Sequence, residues 1–340
     1  MRKIVKQAIG IDVAKDELVV AFAHMLDDWA VCITAGKTFP NTKKGFESLL
    51  KWAIKNVGAD LDLVYAMEAT GVYHEALAYY LHDKECRISV VLPNKISSYF
   101  KTLDVKTVTD KTASETIARF ALERKLDLWK KPDPIYKKLK QLTRERDQIL
   151  SERTVIKNRL HAELSEAEPN PGSIKRNKSR ISLLTQQENE INKEITLLIK
   201  QNPSLLEKIN ILTSIPGLGE LSASIILAET NGFELIRNKK QLVSYAGLDI
   251  KEKISGISVK GKPKISKRGN RYLRKAMYFP ALAAIRKDQR YGQIYDRLVC
   301  KHGLKLKAAV AIQRKILELS YVLFKTNQVY SKHPEKILTL

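Results

Sequence analysis

Cysteine is scarce in this chain and never paired in sequence. Cys32, Cys86 and Cys300 are odd in number, far apart and outside any C-x-x-C spacing. That pattern excludes a disulfide framework and a thiolate zinc site, and it fits a reducing compartment. The six histidines are equally scattered. Long apolar runs are missing as well, since no stretch approaches the roughly 20 residues that a membrane-spanning helix needs. The basic start MRKIVKQAIGIDVAKDEL is interrupted by Asp12 before an apolar core can form, so a secretory leader is not expected. There is no internal repeat and no low-complexity tract. Acid, too, is in deficit: 37 Asp and Glu stand against 60 Lys and Arg, a net charge of +23. Such an excess points to a polyanionic partner, because each phosphate neutralised by Lys or Arg releases condensed counterions. Membrane surfaces and plain solubility are the other uses of a basic surface. The expectation is a cytoplasmic, soluble protein that binds nucleic acid.

What is present divides the 340 residues into contrasting stretches. The first third alternates apolar runs with helical spacing. QAIGIDVAKDELVVAFA reads as a strand ending in Asp12, a turn and a second strand through Leu18 to Phe22. LDLVYAMEAT reads as a buried strand ending in Glu68, GVYHEALAYYLHDK as a helix and CRISVVLP as another strand. DKTASETIARFALERK reads as a helix that opens near Asp110. Strands alternating with helices predict a mixed or parallel α/β sheet. From about residue 134 the period becomes 3.5. Leu139, Leu142, Ile149, Ile156 and Leu160 form one stripe and Leu184, Ile191, Ile195 and Leu198 a second, separated by Pro169, Pro171 and Gly172. An antiparallel coiled-coil hairpin fits this spacing, with two ordinary amphipathic helices as the alternative. The stripe is interrupted by Arg146, Arg153 and Glu188. The remainder is α-rich. The resulting division is 1–130 for the α/β domain, 131–203 for the hairpin, 204–325 for a C-terminal domain and 326–340 for a tail.

Three acids attract attention. Asp12 and Glu68 each end a strand, where ligands of α/β sheets gather. With Asp110 at a helix start, they supply the hard oxygens that suit Mg²⁺ and phosphoryl transfer; capping and turn roles are the alternative. In the C-terminal part, two helical patterns are joined by Pro216-Gly217-Leu218-Gly219. This spacing suggests a helix-hairpin-helix, in which Gly217 and Gly219 let backbone N–H groups approach a phosphate; a tight turn without a ligand is the alternative. Next comes KEKISGISVKGKPKISKRGNRYLRKA, residues 251–276, a loop-like run dense in cations. Lys251, Lys253, Lys260, Lys262, Lys267 and Arg268 surround Ser255-Gly256. Arg271, Arg274 and Lys275 follow at helical spacing, suited to clamping phosphate oxygens. Either this is a basic loop that touches phosphates, or Ser255 itself attacks one, with Ser258 and Ser266 as rivals and Asn270 as a cap for the next helix.

GIDVAKDEL, MEATGVYHEALA, VKTVTDKTASETIARF and, further on, LTSIPGLG, YAGL, SG and SKRGNRYLRKA resemble, in order and over nearly the whole chain, the DEDD-type insertion-sequence transposases. These are bridge-RNA-guided serine recombinases with a RuvC-like (RNase H-like) first domain and a small C-terminal transposase domain. The resemblance implies an acidic tetrad whose first three members are Asp12, Glu68 and Asp110. The fourth position departs from the pattern. Ala113 stands where the second Asp of D-x-x-D-A belongs, and Glu115 and Asp104 are the nearest substitutes. Residues five apart on a helix lie about 140° from each other, which makes Glu115 a poor one. The resemblance also assigns Ser255 as the nucleophile that forms a phosphoserine link to DNA. It further implies Mg²⁺ as cofactor and a structured, element-encoded guide RNA. The DNA partners would be element ends and target, and the protein a homo-oligomer in which dimers assemble to a tetramer through the hairpin. It places the protein in bacterial or archaeal cytoplasm, at the nucleoid. Two other readings remain: an Mg²⁺-dependent junction-type nuclease that uses water, and a non-catalytic basic nucleic-acid-binding protein.

Overall fold

The computed structural model describes residues 2–58, 61–69, 71–103, 105, 107–252, 254–255, 259–261 and 263–331, with backbone only at 254, 255, 259 and 260. Asp104, Lys253, Gly256, Ser258 and Lys262 lie outside the described residues. The chain forms two compact units, Met1–Lys131 and Pro132–Leu340.

The first unit is built on a five-stranded sheet. Its strands are β1 (Ile4–Val13), β2 (Glu17–Leu26), β3 (Val31–Pro40), β4 (Leu63–Glu68) and β5 (Arg87–Val91), and their spatial order is β3-β2-β1-β4-β5. The first three strands form an antiparallel meander, while β4 and β5 run parallel to β1. Strand alternation sends Ile9, Ile11, Leu18, Val20 and Met67 to one face. There they are covered by Phe46 and Leu49 of α1 (Lys43–Asn56) and by Leu77 and Leu81 of α2 (Glu75–Asp83). The opposite face carries small residues, Ala8, Gly10 and Ala66. On it lie α3 (Pro93–Phe100) and α4 (Asp110–Glu123) through Ile96, Tyr99, Ile117, Ala118 and Leu122. The mixed sheet expected from the sequence is present. β3 was not anticipated, because it is a half-exposed edge strand with no alternation to betray it.

The second unit opens with two 31-residue helices, α5 (Pro134–Leu164) and α6 (Pro171–Gln201), each started by a proline behind an Asp133 or Asn170 cap. They pack side by side and antiparallel: Arg153 meets Thr185 and Glu188, and Glu163 meets Ser173. The three charged residues that interrupt the apolar stripe pair with one another. Glu188 accepts from Arg146 at 2.5 Å and from Arg153 at 2.6 Å, with its side chain 12% exposed, and Arg146 also donates to Asn192. What looks like a flaw in the stripe is an ion triad clamped between the helices.

Seven helices follow: α7 (Pro203–Thr213), α8 (Glu220–Thr230), α9 (Lys239–Tyr245), α10 (Arg271–Ala276), α11 (Tyr278–Lys287), α12 (Gln289–His302) and α13 (Lys305–Thr326). They share one apolar core with the root of the hairpin, including Leu139, Leu212, Ile226, Phe233, Leu273 and Ile316. The helical stretch NRYLRKAMYFPALAAIRK is broken at Met277, because Pro280 cannot donate to the Ala276 carbonyl. Between α9 and α10, β6 (Ile250–Lys251) pairs with β9 (Lys264–Ile265), and β7 (Ile254–Ser255) with β8 (Val259–Lys260), all antiparallel. The stretch read as a loop is therefore a β-arm, favoured by its isoleucines and valine. Among the described residues no helix is long and apolar enough to cross a membrane.

Removing Glu188 leaves two guanidinium groups wedged between helices without a counter-charge. Glu188→Ala is expected to destabilise the protein by roughly 3 kcal/mol, read as a lower unfolding temperature in calorimetry. Replacing all three charged residues by leucine is expected to restore most of that loss.

Candidate active site

The first unit gathers its acids by register. β1 and β4 pair from Gln7↔Leu63 to Ile11↔Met67, so Asp12 and Glu68 occupy the next position on adjacent parallel strands, about 5 Å apart in the sheet direction. Both fall on the face that carries α4, because Ala8, Gly10 and Asp12 alternate with the core residues Ile9, Ile11 and Val13. Gly10 decides how near α4 can come. A Cβ there would stand 2.2 Å from the Ser114 carbonyl oxygen and 2.3 Å from the Ala118 nitrogen. From that contact, two residues along β1 lead to Asp12 and one helical turn back along α4 leads to Asp110. The turn is held open at its start by a capping box between Thr109 and Thr112.

The electrostatics follow from this geometry. Burial above all, then the negative charges of Asp110 and Glu68, together push the Asp12 carboxyl up to about 6, against a lowering hydrogen bond from the Val13 backbone. Ala113, three residues after Asp110 on the same helix, offers only a methyl group. Glu115, half-buried, is not among the groups that act on Asp12. Among the described residues no three His, Cys, Asp or Glu side chains converge tightly enough to cage an ion unaided. Asp110 and Glu68 act on Asp12 through charge, and the three carboxylates are not a closed cage.

The second unit carries the cationic arm on a rigid base. Ser266 donates to Asp249 at 2.5 Å, which ties up that rival to Ser255. Backbone bonds link Ser266 to Asp249, Lys267 to Gly247 and Asn270 to Tyr245. Gly247 (φ +66°) and Gly269 (φ +153°) lie against each other's backbone, where a Cβ on Gly269 would sit 2.4 Å from the Tyr245 oxygen and 2.7 Å from the Gly247 nitrogen. The YAGL and RGN motifs thus serve this crossing. Asn270 caps α10 through the Leu273 N–H, as its position in sequence suggests, and its Nδ2 donates to Glu229 at 2.6 Å.

Glu229 is fully buried and grips Arg144 with both oxygens, at 2.7 and 2.9 Å. Burial pushes its carboxyl up, but the bonds from Arg144 and Asn270 outweigh that and hold it below the usual carboxylate range. Arg144 and Arg271 both lie over the Tyr272 ring. Sequence reasoning missed Gly10, Arg144 and Glu229. The only signal for Glu229 was an acid inside the apolar run ASIILAET, and for Gly10 a glycine in the middle of a strand.

The remaining expected site residues take varied positions. Ser255 and Lys260 belong to the inner ladder of the arm. Lys267, at φ +53°, and Arg268 are exposed at its foot, as is Arg271. Arg274 is half-buried and donates to the Ala246 carbonyl at 2.8 Å, so part of its guanidinium is a strut within the fold. Gly217 (φ +87°) permits a close approach, but in this unit the approach is to α11: a Cβ would meet the Pro280 oxygen and Ala284 nitrogen at 2.6 Å. A Cβ on Gly219 would meet open space, and the residue begins α8 without a side-chain cap.

Two outcomes follow. Native Asp12 holds its proton to higher pH than the unfolded chain does, so stability falls as pH rises from about 4 to about 6. Asp12→Asn is therefore expected to unfold a few degrees higher than the unaltered protein at pH 7.5, with the gain vanishing near pH 4, as measured by thermal denaturation. Gly10→Ala is expected to unfold at clearly lower temperature, since α4 must retreat from β1.

Comparisons with known proteins find relatives for most of the chain. A DEDD transposase model of the IS110 type, described as a transposase, matches residues 9–169. A second model, described as transposase of the IS116/IS110/IS902 family, matches residues 209–296. The pilin gene-inverting protein of Moraxella bovis is 29% identical over 96% of this chain and 98% of its own length, and that of Moraxella lacunata 28% identical over the same shares. Among solved structures, Thermus thermophilus RuvC aligns at 10% identity over 36% of this chain and 99% of its own, with a TM-score of 0.27. With the sheet-end acids lying inside the first match and the basic arm inside the second, the chain belongs to the IS110 family of DEDD-type transposases.

Proposed function

We propose that this protein cuts and rejoins DNA by way of a phosphoserine intermediate, with a RuvC-like first domain that binds Mg²⁺ and a C-terminal domain that supplies the nucleophile. The observation that carries the reading is the gathering of Asp12, Glu68 and Asp110 at one end of the sheet, close enough for the last two to raise the first. The donor set suits a divalent ion: three hard oxygens whose mutual repulsion a cation relieves. Mg²⁺ is commonly held by one or two carboxylates plus substrate phosphate and water, so an open cluster of acids is adequate. When bound, the ion supplies charge stabilisation at the scissile phosphate.

The chain's own residues would do the rest. The Ser255 hydroxyl attacks phosphorus and gives up its proton, a P–O bond to one strand breaks, and that strand leaves with a free hydroxyl. A hydroxyl of the exchanged strand then attacks the phosphoserine and releases Ser255, so bond energy is conserved and no nucleotide is consumed. Lys260, Lys262, Lys267, Arg268, Arg271 and Arg274 would hold backbone phosphates, with Gly217 and Gly219 as further contacts if the turn before α8 serves as a helix-hairpin-helix. The reading includes a structured guide RNA, dimers joined through a coiled-coil α5–α6 hairpin that assemble to a tetramer, and a place in the cytoplasm beside the nucleoid. The Moraxella relatives are named for inverting a gene, which supports rearrangement by cutting and rejoining over simple cleavage.

The test is incubation with element ends, flanking transcript and Mg²⁺, resolved on a denaturing gel. A protein–DNA band is expected, absent from Ser255→Ala and from Asp12→Asn. Strand cleavage retained by Ser255→Ala with no adduct in the unaltered protein assigns the attack to water instead. Cleavage should also fall as pH drops through about 6, with the midpoint moving lower at saturating Mg²⁺, because the ion binds the ionised carboxylate.

A further inference from the structure

Asn41 lies in the link between β3 and α1, in a part of the chain to which no role has been given. Its backbone N–H donates to the Asp16 carbonyl at 2.9 Å. Its side-chain Nδ2 donates twice, to the Ala14 carbonyl at 2.9 Å and to the Tyr73 carbonyl at 3.2 Å. Ala14 follows Asp12 by two residues and Tyr73 follows Glu68 by five, so one amide group ties together the segments leaving both acid-bearing strands. Both Nδ2 protons meet carbonyl oxygens, which settles the orientation of the amide: reversed, its oxygen would face two acceptors. Among the described residues the Oδ1 atom is buried with no hydrogen-bond partner.

The position matters because of where β1 and β4 part. The β1–β4 ladder ends at Ile11↔Met67, one residue short of Asp12 and Glu68. At that point β1 and β4 are no longer paired with each other, although Asp12 still pairs with Val19 of β2 and Glu68 with Val91 of β5, and the carboxylates, being alike in charge, push apart. We infer that Asn41 is a positioning residue that sets the separation of Asp12 and Glu68 and so the affinity of the site for a divalent ion. The inference rests on the reading of these acids as metal ligands. Supporting residues outside a metal's own ligand set commonly change affinity by 10–100-fold when removed.

The molecule supplies its own control. At the opposite end of β1, Gln7 makes a matching clamp. Its Nε2 donates to Leu61 at 2.8 Å and Gly58 at 3.3 Å, while Oε1 accepts from the Gly58 N–H at 3.3 Å. It is far along the strand from the acids.

The experiment is a thermal-denaturation titration of the full chain with Mn²⁺ alone, comparing unaltered protein, Asn41→Ala, Asn41→Ser, Gln7→Ala and Asp12→Asn. Asn41→Ala is expected to need on the order of 10-fold more Mn²⁺ for half of the thermal shift, and Asn41→Ser, which keeps one donor, an intermediate amount. Gln7→Ala should unfold at lower temperature without metal while keeping the unaltered Mn²⁺ midpoint. An unaltered midpoint in Asn41→Ala, or in Asn41→Ser should the alanine variant not fold, overturns the positioning role. An unaltered midpoint in Asp12→Asn overturns the metal reading beneath it, so the two failures are told apart.

Discussion

How closely α4 can lie on β1 governs the acidic end of the first unit. The contact is backbone to backbone, made possible by a glycine whose missing Cβ would overlap the Ser114 oxygen and the Ala118 nitrogen. Neighbouring positions are alanines, Ala8 on the strand and Ala118 on the helix, both buried. Small residues at such a crossing contribute little hydrophobic area. What they contribute is proximity, and proximity brings Asp110 of the helix within electrostatic range of Asp12 of the strand. The consequence is a carboxyl that burial and like charge push up to about 6, a condition that costs stability near neutral pH and that a cation would reverse. Functional sites are where folds tolerate such costs.

The second unit solves a different problem, that of holding a cationic arm on a firm footing. Its foot is a crossing of two glycine-containing segments, and behind it Glu229 joins α5, α8 and the start of α10 through Arg144 and Asn270. A fully buried carboxylate is tolerable only because each oxygen meets a donor, and one donor carries a full positive charge. The same logic operates in the hairpin, where Glu188 satisfies two arginines at once. Both clusters place charge at positions that would otherwise be apolar, and both tie together elements distant in sequence.

Much of this was legible in the chain beforehand. Strand runs ending in Asp12 and Glu68, the helix opening at Asp110 and the paired stripes of the hairpin all announced themselves by period. The β-arm did not, because two-residue ladders offer no period to read. Nor did the break at Met277, since helix and kink share one pattern until Pro280 is weighed. Gly217 illustrates the limit well. The chain says that a residue without Cβ is needed there, but not what approaches it, and in this unit the neighbour is α11.

By itself, the amino-acid sequence determined the basic balance of the protein, its α/β-then-helical order and which carboxylates end strands, because these depend on composition and local periodicity. Only the tertiary structure decided that Asp110 and Glu68 act on Asp12, that the misplaced charges of the hairpin are a triad, and that Asn41 bridges two strand exits. Those outcomes depend on register and on close approach between segments distant in sequence, and no local pattern encodes a distance across the fold.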